Sequence, residues 1–111
     1  MNKVILDLYK LMIDNKDTVS KIICSEKNFI LNRDYLNYGY GLIKQISENF
    51  FRLDNIFVFS NKVIEMKTKE LAFINKYLIN SYNQINGYLI YDFLKTEYSI
   101  ILEELKKILE N

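Results

Sequence analysis

The sequence predicts an all-α, single-domain bundle of four to five helices covering residues 1–111. Three observations carry this expectation. The chain has no proline and three glycines among 111 residues, so few positions interrupt a helix. Apolar side chains recur mainly at steps of three and four, the period of one helix face. The composition is 50% apolar and 26% charged, the balance of a globular domain rather than a disordered chain.

The first helix is expected from about Lys3 to Asp14, with Val4, Ile5, Leu8, Leu11 and Met12 along one side. The polar run "DNKD" reads as a break. Asp17 then serves as the N-cap of a second helix carrying Val19, Ile22, Ile23 and Cys24. Ser25 and Asn32 are both candidate caps for the next helix. The third segment, "RDYLNYGYGLIKQISENFFRL", places Leu36, Gly39, Ile43, Ile46, Phe50 and Leu53 on one seam. Gly39 lies inside that seam, where a missing side chain lets a neighbour come close. Gly41 lies on the opposite side, where an interior helical glycine costs about 1 kcal/mol relative to alanine.

"NIFVFSNKVIEMKT" has two readings. Residues 55–66 could form a short β-hairpin about Ser60, Asn61 and Lys62. Helix is favoured, capped by Asp54 or Ser60, because two isolated strands are marginal alone. Helix continues with Leu71, Ile74, Leu78 and Tyr82 in line, and "NQING" ends it with Gly87 as a left-handed C-terminal residue. The last helix, Tyr88 to Leu109, is apolar around most of its circumference. Such a helix is central to a bundle or covered by a partner.

Composition also bounds function. The 15 basic and 14 acidic residues give a net charge of +1 and are mixed along the chain. That supplies no field to attract nucleic acid. No apolar stretch reaches 18 residues, so no membrane span is expected, and the N-terminus does not read as a signal peptide. Lone Cys24 rules out an internal disulfide and is read as a buried core thiol. The expected location is cytoplasmic. Heavy use of Ile, Asn, Lys, Tyr and Phe, whose codons are rich in A and T, points to a bacterial, phage or mobile-element gene.

The chain has no histidine and so lacks the commonest metal ligand and the side chain that titrates near neutral pH. No phosphate loop, nucleophile elbow or paired acid and base is present. No enzyme activity, metal or cofactor is expected. Glu97 falls within the apolar arc of the last helix. Its favoured role is pairing with a lysine or a tyrosine hydroxyl, ahead of a cleft carboxylate.

The nine tyrosines and seven phenylalanines are the unusual feature. Tyr35, Tyr38 and Tyr40 cluster beside the glycines; Tyr77, Tyr82, Tyr88, Tyr91 and Tyr98 cluster about the last turn and helix. Tyr38 projects off the seam, where the core has no use for it. Core filling is the favoured role for these rings and a partner surface the second, since tyrosine buries a ring while its hydroxyl stays wet. The candidate partner-binding residues are Tyr35, Tyr38, Tyr40, Tyr88, Tyr91, Tyr98 and Glu97.

On the tyrosine-rich "NRDYLNYGYGLIKQI" and the amphipathic "GYLIYDFLKTEYSIILEELKKILEN", the chain resembles the small all-helical immunity proteins that neutralise bacterial toxins. These include the colicin, bacteriocin and contact-dependent growth-inhibition types. The resemblance spans the chain in size and helicity and has no diagnostic motif. It implies a protein partner, a toxin or effector domain, bound through Tyr and Phe anchors. Immunity proteins against nucleases are usually acidic. This chain is near neutral, which disfavours a nuclease toxin unless acidic residues gather locally. The alternatives are a phage or mobile-element inhibitor of a host defence enzyme, and a self-assembling helical adaptor, such as a homodimer, that buries the last helix against its own copy.

Overall fold

A computed structural model describes residues 2–78 and 84–111, and every described element is helical. The first helix, α1, runs through Asn2–Ile22 without interruption. The break expected at "DNKD" and the N-cap expected at Asp17 are therefore corrected. Nothing at these positions is incompatible with helix. Ile5, Leu8, Met12, Val19 and Ile22 form one buried line across the whole span, so tertiary packing outweighs the low propensity of the polar residues. Asn15 is drawn into the fold, its amide donating to the Leu11 carbonyl at 2.8 Å.

Ser25 and Asn32 both act as caps. The Ser25 hydroxyl accepts the Asn28 amide at 3.2 Å and starts α2, Glu26–Leu31. Asn32 then starts α3, Arg33–Phe51, its Oδ1 accepting the Tyr35 amide at 3.1 Å. Each cap satisfies one of the donors that a helix start leaves unpaired. The α3 seam is buried as the spacing predicts, through Leu36, Gly39, Ile43, Ile46 and Phe50, with Leu53 just beyond.

Residues 55–66 form helices and not a hairpin. Asp54 accepts the Ile56 amide at 2.7 Å and opens α4, Asn55–Ser60. Asn61 ends α4 and opens α5, Lys62–Tyr77, accepting the Ile64 amide at 3.0 Å. Ser60 is not the cap, because its hydroxyl turns back to the Phe57 carbonyl. The local β preference yields to the caps at Asp54 and Asn61 and to packing of α5 on α3. Ile64, Leu71 and Leu78 are buried, and Ile74 packs beside them. Tyr82, expected in that line, lies outside the described residues.

The final stretch comprises α6, Gln84–Asp92, one π-helical turn over Phe93–Glu97, and α7, Tyr98–Glu110. Gly87 is part of α6 and no described residue has positive φ, so its expected role as a left-handed terminator is corrected. A Cβ there would stand 3.3 Å from both Ile30 and Leu36. Gly87 is a packing glycine that lets α2 and α3 close on α6. Gly39 does the same from the opposite direction: its Cβ would meet Ile90 Cγ2 at 2.5 Å and Leu94 Cδ1 at 3.2 Å.

The long helix α3 packs against α1, α2, α5 and α6, while α7 lies against α1 and α5. Phe29, Phe50 and Phe93 are the largest fully buried rings, each contributing roughly 1.5–3 kcal/mol by removal from water. The apolar circumference of the last stretch is accounted for mainly by the core. Ile90, Tyr91, Phe93, Leu94, Tyr98, Ile101 and Leu105 are all buried.

Candidate interaction site

Three tyrosine hydroxyls converge on α1. Tyr98 donates to the Met12 carbonyl at 2.5 Å, Tyr91 to the Ile23 carbonyl at 3.2 Å, and Tyr38 to Asn15 Oδ1. The Ile23 carbonyl lies just past the C-terminus of α1, where carbonyls lack helical partners. Tyr91 therefore closes that helix end from the far side of the core. Tyr91 and Tyr98 are buried rings and cannot face a partner. Their expected role as partner-binding residues is corrected: the distance from α1 to α6 and α7 is spanned by a ring plus a hydroxyl, which leucine could not satisfy.

Tyr38 is corrected in part. It is half-buried and packs against the core, because the unbroken α1 brings Asn15 alongside α3. Burial pushes its hydroxyl pKa up, and a hydrogen bond with Thr18 opposes that rise. Burial likewise pushes the Tyr98 hydroxyl up strongly, with the nearby charge of ionised Tyr38 adding to the rise. Tyr35 and Tyr40 are half-buried, Tyr35 leaning on Phe29 with ring centroids 6.4 Å apart. Tyr88 is exposed. The aromatic candidates thus do not form one patch. Cys24 is exposed, with its thiol near the Ser20 carbonyl at 3.3 Å. The core thiol expected from the sequence is corrected: α1 extends to Ile22 and carries Cys24 beyond the buried face.

Glu97 sits in the π turn and is part of a cluster that bridges α5 to the last stretch. Lys67 donates to Glu97 and, at 3.1 Å, to Glu70. Its side chain is buried, while Glu97 and Glu70 are partly exposed. The hydrogen bond from Lys67 holds the Glu97 carboxyl below its ordinary range, against the opposing effect of burial. Burial pulls the Lys67 pKa down, but its hydrogen bonds to Glu97 and Glu70 outweigh this and leave it raised. The Lys67 amine is therefore held in its protonated form. Lys67 is in phase with Ile64 and Leu71. Glu97 thus pairs with a lysine, the role favoured for it from the sequence; that the partner is Lys67, a lysine on an apolar line, was legible and was not read.

Beside this cluster an open groove of about 420 Å³ runs between α5 and the α6–π stretch. Phe73, Ile74, Leu89 and Phe93 line its apolar part, and Glu70, Asp92 and Glu97 stand along it. On α5, the Phe73 and Tyr77 rings are in tilted contact, 4.9 Å between centroids and 49° between planes. They are 54% and 49% exposed, and Met66, two turns before Phe73, is 57% exposed. Spacings of seven and four place the three on one helix face. The sequence reading did not single out this face, since an exposed apolar residue cannot be told from a buried one until the neighbouring helix is placed.

Among the described residues no group of three or more Cys, Asp or Glu side chains is placed to hold a metal ion. No described helix is long and apolar enough to cross a membrane. No family model, curated protein or solved structure matches the chain.

Proposed function

We propose that this chain is a protein-binding inhibitor of the immunity type, which neutralises a bacterial toxin or effector domain by docking on it. The observation that carries the proposal is the exposed line of Met66, Phe73 and Tyr77 beside the apolar groove. Large apolar side chains exposed in a row along a groove mark interaction surfaces on soluble proteins. The Phe73–Tyr77 pair, with its rings in tilted contact, is aromatic and amphipathic, the character of an anchor at the centre of an interface.

The test is growth rescue. A toxin-like reading frame found beside this gene would be induced with and without this chain, in the wild-type form and as Phe73→Ala. Rescue by wild type that is lost in a normally folded Phe73→Ala protein supports the proposal. Absence of rescue by the wild type, with toxin and chain both expressed, overturns it.

A further inference from the structure

We infer that the groove between α5 and the α6–π stretch receives a short amphipathic helix of the partner, one that presents a large apolar side chain flanked by Lys or Arg. This deepens the protein-binding reading of the same groove and rests on it. Three properties define the occupant.

The first is shape. The groove is walled on both sides by helices, so a third helix can settle into it as ridges settle into grooves. Its α6–π wall runs from Leu89 to Glu97, about 12 Å at the helical rise per residue. That length accommodates about two turns, enough for one apolar anchor and its neighbours one turn away. The second is polarity. The anchor meets Phe73, Ile74, Leu89 and Phe93, a surface that offers dispersion contacts and few hydrogen bonds.

The third is charge. Three carboxylates stand along the groove, Glu70, Asp92 and Glu97, against Lys69. The remaining cation, Lys67, is buried and turned into Glu70 and Glu97. Lys69 is exposed and pairs with Glu65 at 4.0 Å. The groove therefore presents three carboxylates against one exposed amine, which is itself paired with Glu65. Lys or Arg one turn from the anchor is attracted, and Glu or Asp at those positions is repelled.

Two fluorescein-labelled helical probes test this. Each has 16 residues and one central Phe on a leucine face; one carries Lys and the other Glu on its polar face. Fluorescence anisotropy against the intact protein reads the affinities. The Lys probe is expected to bind at least about ten-fold tighter than the Glu probe at low ionic strength, with the ratio narrowing as salt rises. Asp92→Lys, at an exposed position outside the Lys67 cluster, is expected to weaken the Lys probe about five-fold and strengthen the Glu probe. Phe73→Ala is expected to weaken both. Equal affinities for the two probes, or Lys-probe binding unchanged by Asp92→Lys and Phe73→Ala, overturns the inference. If growth rescue depends on Phe73 while the probes bind equally, the inhibitor reading stands and the cationic-helix claim falls. If the probes discriminate and rescue fails, the groove is a docking site for a cationic helix and the inhibitor reading falls.

Discussion

The Tyr98 hydroxyl donates to the Met12 carbonyl at 2.5 Å across 86 positions of sequence. This bond joins the last helical stretch to the first. Tyr98 is 3% exposed, so its ring contributes through packing and its hydroxyl through a satisfied buried bond. Replacing it by phenylalanine keeps the ring. Tyr98→Phe is expected to destabilise the fold by about 0.5–1.5 kcal/mol, and Tyr98→Ala by about 3–5 kcal/mol through the cavity it leaves. Urea unfolding monitored by circular dichroism measures both. Equal losses for the two variants would show that the hydroxyl, not the ring, carries the effect.

Alkaline titration reads the burial of the same side chain. A tyrosine whose folded pKa lies above its unfolded value near 10 stabilises the fold fully below that pH. It loses that contribution as pH rises past 10. Tyr98 is shifted in this direction, chiefly by burial. Absorbance of tyrosinate is expected to show a late component that ionises together with loss of helix, and Tyr98→Phe is expected to diminish it. A wild-type titration in which every tyrosine ionises with the helix content intact contradicts this assignment.

Gly39 and Gly41, both in α3, are expected to respond to alanine in opposite directions. A Cβ at Gly41 meets nothing within 4 Å, whereas one at Gly39 lies 2.5 Å from Ile90 Cγ2. Gly41→Ala is expected to stabilise by about 0.5–1 kcal/mol through helix propensity. Gly39→Ala is expected to destabilise by about 1–3 kcal/mol, because a β-branched methyl in a packed core cannot swing aside. Combining Gly39→Ala with Ile90→Ala should cost less than the two single changes added, since each relieves the other. Strict additivity in thermal melts would show that the two side chains do not meet.

The Lys67 cluster sets a pH window. Glu97 has a lowered folded pKa, so its contribution is present above its unfolded value near 4.3 and fades as pH falls through the lower folded value. Lys67 is raised, so its contribution holds below about 10.4 and fades above it. The pair therefore supports the fold through the neutral range. Lys67→Met is expected to destabilise at pH 7 by about 1–3 kcal/mol by leaving carboxylates without a donor. Lys67→Met/Glu97→Gln should recover part of that loss. Melts between pH 3 and 9 check this. A Lys67→Met variant as stable as wild type at pH 7 but not at pH 3 has the wrong sign.

Cys24 is exposed, so a thiol reagent such as dithionitrobenzoate should modify one equivalent in the native state without denaturant. Protection until the protein unfolds would place Cys24 in the core after all.

The seam of α3 and the caps Ser25, Asn32 and Asp54 were legible because they depend on neighbours within a turn or two. Spacing states which residues share a face, and an Asn or Ser side chain reaches an amide three residues away. The uninterrupted α1 was not legible. Asn15 and Asp17 read as a break by local preference, and only the contact of Val19 and Ile22 with the rest of the core keeps the helix running. Gly87 failed for a related reason. A glycine after polar residues signals a terminator, while Ile30 and Leu36 pressing at 3.3 Å are invisible until three helices are assembled. The tyrosines divide on the same ground: Tyr91 and Tyr98 share a composition with exposed Tyr88, and only their hydroxyl partners on α1 place them inside.

From its sequence alone this chain is an all-helical domain with a near-neutral, mixed charge pattern. These are consequences of composition and of periodicity within single elements. Which aromatic rings are core and which are surface, that Lys67 is buried between Glu70 and Glu97, and that Phe73 and Tyr77 stand exposed beside a groove were decided by tertiary structure. The physical reason is that burial belongs to pairs of elements. A helix specifies the direction of each side chain about its own axis, and the helices packed around it decide which of those directions lead away from water.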